Sequence, residues 1–132
     1  MLAHTRWASV GIISEPNAHP VNSEEADGRP GPYVTAALNG DVDNFADLIA
    51  VEKLVIAGEI TTDAKVIPTL VSRGLAAGLE LDEAVRSSVA QFEGSVAIGV
   101  STATAPADVH LALRGSGQGV FVGLAEDAFV VA

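Results

Sequence analysis

The hydrophobic period of this chain changes at Gly94. Before it, Val66, Ile67, Leu70 and Val71 recur at the spacing of one helix face. Ala84, Val85, Ser88, Val89 and Phe92 repeat that pattern behind Asp82, a good N-cap. After Gly94, Val96–Val100, Val109–Leu113, Val120–Val122 and Phe129–Val131 are short apolar runs divided by Gly, Pro and Asp. They read as four strands of an antiparallel meander, with Gly115–Gly119 as a hairpin loop. Helices followed by strands point to an α+β fold, with the helices on one face of a mostly antiparallel sheet.

Ahead of the helices the pattern is looser. Leu2–Arg6 reads as a short strand, followed by a long loop broken by Pro16 and Pro20. Asn22–Pro32 is a polar, Gly- and Pro-rich surface loop. Tyr33–Leu38 is β-prone, and Asn39-Gly40 predicts a turn at its end. Asp41 and Asp43 offer an N-cap for a helix carrying Phe45, Leu48, Ile49 and Val51. Leu54–Ala57 reads as extended and stops at Gly58. Thr61-Thr62-Asp63 starts the next helix, which tolerates Pro68 in its first turn and ends at Gly74 and Gly78.

Composition limits the chemistry. A chain of 132 residues makes one domain. A net charge of −10 argues against nucleic acid or an anionic membrane as partner, since both select basic patches. No apolar run is long enough for a membrane span, so a soluble, cytoplasmic protein is expected. With no cysteine, the chain has no disulfide, no thiolate zinc site and no cysteine nucleophile. His4, His19 and His110 are too dispersed to specify a metal, and no organic cofactor is indicated.

The polar residues of interest lie near element ends. His4, Arg6, Trp7 and Ser9 follow the first extended stretch, Asn39-Gly40 ends the second, and Asp63 starts a helix. An Arg and an Asp together can hold the carboxylate and ammonium of an amino acid. An Asn beside a Gly N–H can form an oxyanion hole. Plainer roles stand beside these: Arg6 paired with a surface acid, Asn39-Gly40 a turn, Asp63 an N-cap, Trp7 in the core. Gly115–Gly119 is better read as a hairpin than as a phosphate cradle, because no helix follows it.

Six short strings carry a family resemblance in order and spacing. His4-Thr5-Arg6-Trp7-Ala8-Ser9 resembles the H-T-R-W-A-T motif of class II glutamine amidotransferases. Asn17-Ala18-His19-Pro20 is similar to that family's N-A-H-P, and Leu38-Asn39-Gly40-Asp41 with Asn44 to its H-N-G-x-x-x-N. Thr62-Asp63, Phe92-Glu93-Gly94-Ser95 and Leu113-Arg114-Gly115-Ser116 match later positions. The wording is nearest to the glutaminase domain of the glucosamine-6-phosphate synthases.

The resemblance implies an N-terminal-nucleophile hydrolase with an αββα sandwich of antiparallel sheets. A Cys at the mature N-terminus attacks the glutamine side-chain amide, and its own α-amino group is the base. Carried over by position, Arg6 holds the α-carboxylate with Ser9 beside it, and Asp63 holds the α-ammonium. Asn39 and Gly40 supply the oxyanion hole, and Trp7 lies near the path by which ammonia leaves. The whole enzyme of that family passes ammonia to fructose 6-phosphate in its isomerase domains, giving glucosamine 6-phosphate and glutamate, and is expected to be a homo-oligomer.

Several positions depart from the family wording. Val10, Val21 and Leu38 stand where the family has His, and Ala64 and Lys65 where it commonly has Thr and Glu. The nucleophile and first strands precede H-T-R-W by several dozen residues in the family, whereas here the motif begins at His4. The expectation is a partial amidotransferase domain over 1–132, its sandwich incomplete at the N-terminus, with nucleophile and isomerase domains absent. The alternatives are a non-catalytic glutamine-binding or interaction module of the same fold, or an amidotransferase with another acceptor.

Overall fold

The computed structural model describes all residues, Met1–Ala132. Its elements in chain order are β1 (Val21–Asn22), β2 (Val34–Val42), α1 (Phe45–Glu52), α2 (Val66–Ala76), α3 (Leu81–Val89), β3 (Gly94–Thr102), β4 (Ala105–Arg114), β5 (Val122–Leu124) and β6 (Phe129–Val131). Strands β1 to β4 form one antiparallel sheet in that order. The α+β expectation holds, with antiparallel sheets throughout.

Strand alternation sets the layers. Val34, Ala36, Leu38 and Val42 of β2, and Val96, Ile98 and Val100 of β3, are buried under the helices. Ile67, Leu70 and Val71 of α2 and Ala84 and Val85 of α3 meet them, with Phe92 fully buried between. Each Val, Leu, Ile or Phe side chain among them contributes about 1.5–3 kcal/mol on burial. Gly74 lies inside α2 rather than ending it. A Cβ there would come within 3.1 Å of the Ala84 Cβ, so the glycine lets α2 and α3 approach closely.

The opposite face of the sheet is different. It carries small residues, Ala37, Ala97 and Gly99, beside exposed Leu111 and Leu113 of the edge strand β4. The N-terminal segment lies across this face, with the Leu2 side chain over Gly99. Residues 1–13 contain no strand, contrary to the expectation for Leu2–Arg6. The segment crosses the sheet instead of pairing with it.

Two further expectations are corrected. Asn39-Gly40 is not a turn: β2 runs through it to Val42, pairing Gly40 with Val96 and Val42 with Gly94. The long pairing partner in β3 overrides the local turn preference. The predicted four-strand meander also splits. β3 and β4 join the main sheet, while β5 and β6 pair only with each other. Gly115–Gly119 is therefore no hairpin loop. It turns back along the sheet, with Gly115 against Gly94 and Ser95.

The start of α2 positions the site. The chain enters that helix through a 3-10 turn over Asp63–Lys65. Lys65 is 1% exposed, and its ammonium donates to Asn22 O at 2.7 Å, Asn22 Oδ1 at 3.0 Å and Glu24 O at 2.7 Å. On the far side of the loop, Arg73 holds Glu25 bidentately at 2.7 and 2.6 Å and also reaches Glu52 O at 2.5 Å. Loop 22–32 is thus fastened to α2 at both ends of its acidic stretch. No helix is long and apolar enough to cross a membrane.

Candidate functional site

A cavity of about 270 Å³ opens where the N-terminal segment passes the far half of β2. Arg6, Trp7, Ser9, Asn39, Gly40 and Asp63 all line it. Residues separated by more than fifty positions in sequence are therefore brought to one place.

Arg6 closes its own loop. Its guanidinium donates to Ile12 O at 3.2 Å and to Val10 O. It pairs with no surface acid. With five N–H donors and two of these bonds made, it keeps donors for a ligand. Gly11 holds this loop against Thr61: its φ is +81°, and a Cβ would lie 2.7 Å from Thr61 O. The Ile12 N–H donates to Thr61 Oγ1 at 3.2 Å. Trp7 is 96% exposed at the rim, not in the core. Ser9 Oγ donates to Asp41 Oδ1, which ties the loop to β2.

Asp63 reaches the cavity from the helix side. It is 3% exposed. Its Oδ2 accepts the Val42 N–H at 2.7 Å, and its Oδ1 accepts the Thr62 hydroxyl at 3.4 Å. Burial raises its pKa above the usual aspartate value, and neighbouring Asp41 adds to the rise. It does not cap α2, which starts three residues later. Two acids and a guanidinium lining one cavity make a field suited to a zwitterion.

Asn39 and Gly40 sit in the strand between these poles. Asn39 lies on the sheet face away from the helices, the face crossed by the N-terminal segment. Gly40 has φ +108°, and a Cβ there would lie 1.9 Å from Ser95 O. Only glycine fits, and the backbone remains open to the cavity.

Eight residues lining the cavity were given no binding or catalytic role by the sequence, among them His19, Asp41, Thr62 and Gln118. The Asn17–Pro20 motif pointed toward His19 without saying what it does. Gln118 carries no signal in the sequence, because the loop holding it reads as a hairpin. His110 does not line the cavity; its Nδ1 pairs with Asp82 at 3.0 Å. No group of three His, Asp or Glu side chains converges to hold a metal.

Comparison with known proteins supplies a context. No protein-family model matches the chain. It is 34% identical over 98% of its length to the isomerizing glutamine–fructose-6-phosphate aminotransferase of Bartonella quintana. It is 33% identical over 99% of its length to the enzyme of the same name from Bacillus thuringiensis. The chain spans 20% of the length of each. Among solved structures, glutamine phosphoribosylpyrophosphate amidotransferase from B. subtilis superposes on 97% of the chain, with a TM-score of 0.73 and 20% identity. That match covers 26% of the B. subtilis chain. A second structure, described as the allosteric regulatory enzyme of purine biosynthesis, superposes on 87% of this chain and 23% of its own, with a TM-score of 0.67 and 21% identity.

Proposed function

This chain has the fold of a class II glutamine amidotransferase domain, and on that premise we propose that it is the glutamine-holding segment of a glutamine–fructose-6-phosphate aminotransferase. The carrying observation is the single cavity that Arg6 and Asp63 both line. The Arg6 guanidinium takes the α-carboxylate of glutamine, with the Ser9 hydroxyl beside it. Asp63 takes the α-ammonium. The side-chain amide then lies along β2, where the Asn39 amide and the Gly40 N–H stabilise the oxyanion formed on attack.

The attacking group is not among these residues. The chain has no cysteine, so a thiol from outside the 132 residues adds to the amide carbon. Collapse of the tetrahedral adduct, with the thiol proton passed to the leaving nitrogen, expels ammonia past Trp7 at the rim and leaves a γ-glutamyl thioester, which water hydrolyses to glutamate and free thiol. The partners are glutamine here and fructose 6-phosphate elsewhere in a larger protein, which yields glucosamine 6-phosphate and glutamate. The domain is a partial amidotransferase domain in this reading, in a cytoplasmic enzyme of amino-sugar synthesis that assembles as a homo-oligomer.

Trp7, the sole tryptophan, is a built-in reporter. Titrating L-glutamine should change its emission along a saturable curve that Arg6→Ala and Asp63→Asn move to much higher glutamine concentration. An emission change that ignores both variants would overturn the assignment of the site. For the acceptor, the longer protein that contains this segment should form glucosamine 6-phosphate from glutamine and fructose 6-phosphate. Ammonia transfer to a different acceptor would overturn that part alone.

A further inference from the structure

The Asn17–Pro20 motif has no task in the scheme above, yet it makes the densest side-chain hydrogen bonding near the cavity. Asn17 is fully buried. Its Oδ1 accepts the N–H groups of Thr61 at 2.7 Å and Thr62 at 2.9 Å. Its Nδ2 donates to Ser14 Oγ at 2.9 Å and to Glu59 O at 3.3 Å. The backbone leading into Asp63 is therefore fixed from behind.

His19 continues this from two residues along. The Leu38 N–H lies 3.4 Å from His19 Nδ1. A backbone N–H can only donate, so Nδ1 accepts and the ring proton sits on Nε2. Nε2 lies 3.4 Å from Thr62 Oγ1 and so donates to it. The Thr62 hydroxyl has one proton of its own, which goes to Asp63 Oδ1 at 3.4 Å. Three groups thus donate in one direction, from the Leu38 N–H through His19 and Thr62 to the Asp63 carboxylate.

We propose that His19 is a positioning residue that fixes the oxyanion-hole strand at Leu38-Asn39 relative to the ammonium-holding carboxylate of Asp63, acting through Thr62. This rests on the glutamine reading for its purpose, though the geometry stands without a ligand. The ring works only when neutral, since a proton on Nδ1 would face the Leu38 N–H donor to donor. Burial holds its pKa down, to about 4, and the facing charges of His4 and Arg6 add to this. The chain of donors also favours the anionic form of Asp63 against the cost of its burial.

Two conservative variants separate the two halves of the ring. His19→Asn places an oxygen near the Nδ1 position and keeps the Leu38 bond, but cannot reach Thr62. His19→Gln places an N–H donor near the Nε2 position and keeps the Thr62 bond. Calorimetry on the full chain compares L-glutamine with glutaric acid monoamide, which lacks the α-ammonium. Carbon-detected NMR follows the Asp63 carboxyl in the unliganded protein. His19→Asn should weaken L-glutamine about tenfold, the scale of one hydrogen bond to a charged group, and leave the monoamide within about twofold. It should also raise the Asp63 titration midpoint, with His19→Gln restoring both. Thr62→Val, which keeps the ring, should match His19→Asn. An Asp63 midpoint unmoved by either His19→Asn or Thr62→Val would overturn the proposal, as would equal weakening of both ligands. If the unsubstituted chain binds no glutamine, the glutamine reading fails, while the Asp63 midpoints still decide the relay.

Discussion

Val42 donates its backbone N–H to the Asp63 carboxylate at 2.7 Å, so the last residue of β2 and the turn that begins α2 share one bond. That bond brings an acid from the helical layer to the sheet end where Asn39 and Gly40 lie. It also keeps a charged group 3% exposed, which costs the fold free energy.

From this follows an exchange of stability for binding. The folded pKa of Asp63 is raised above the unfolded value, so at neutral pH its ionised form opposes folding. Asp63→Asn retains an oxygen to accept the Val42 N–H and removes the charge. Its melting temperature at pH 7 should equal or exceed that of the unsubstituted chain. Its affinity for L-glutamine should fall by about 1.5–3 kcal/mol. A destabilised variant that still binds glutamine would contradict both halves.

The same shift sets a pH dependence. Holding an ammonium requires ionised Asp63, so glutamine affinity should be level near neutrality and fall on acidification. The midpoint should lie above the ordinary aspartate value of 3.8. The fold should survive in this window. Although burial opposes its ionisation, Glu25 has a folded pKa lowered by its bonds from Arg73 and the Val55 N–H. Its stabilising contribution is therefore kept until the pH drops below the usual glutamate range. Calorimetric titrations from about pH 4 to 8, beside melting curves, check this; a midpoint at or below 3.8 speaks against the buried acid.

Much of this was legible in the sequence, and the failures have physical causes. The helical spacing of Val66–Val71 and Ala84–Phe92 gave α2 and α3, because one-sided burial imposes that period. Asn39-Gly40 misled as a turn because its partner strand lies more than fifty residues away, and pairing to Ser95–Ala97 outweighs local propensity. Leu2–Arg6 misled because an apolar segment can cross a sheet face as well as pair with an edge. Arg6 and Asp63 were candidates from residue type and place at element ends, and the family resemblance supplied their expected roles. The bonds to Asp63 from Val42 and Thr62, and the His19 bond to Thr62 behind them, leave no periodic trace.

Lys65 offers a test of how the 3-10 turn is held. Lys65→Met fills the space but leaves three carbonyl acceptors without their donor. The expected loss is about 1.5–3 kcal/mol of folding stability, read from urea denaturation. A variant as stable as the original would mean that the buried ammonium contributes nothing net.

Gly40→Ala should be more damaging locally. The added Cβ meets Ser95 O at 1.9 Å, and the backbone sits at a φ that alanine avoids. Pairing from Gly40 to Val42 should open, seen as faster amide exchange at Asp41 and Ser95, the directly opposed pair there, while β1 is unaffected. Unchanged exchange would show that the strand tolerates a side chain there.

Purified chain should release no glutamate from glutamine, for it has neither Cys nor an N-terminal hydroxyl to attack the amide. A coupled glutamate assay checks this at high protein concentration. Turnover that tracks the purified chain would place a nucleophile among residues given no such role.

The most direct test is backbone and arginine side-chain NMR of the labelled chain during titration with L-glutamine. The account predicts that the Asn39 and Gly40 amides and the Arg6 Nε signal move together along one saturable curve, and that D-glutamine moves them far less. Signals that stay still, or that move only around Ser23–Tyr33 while the site residues do not, would contradict it.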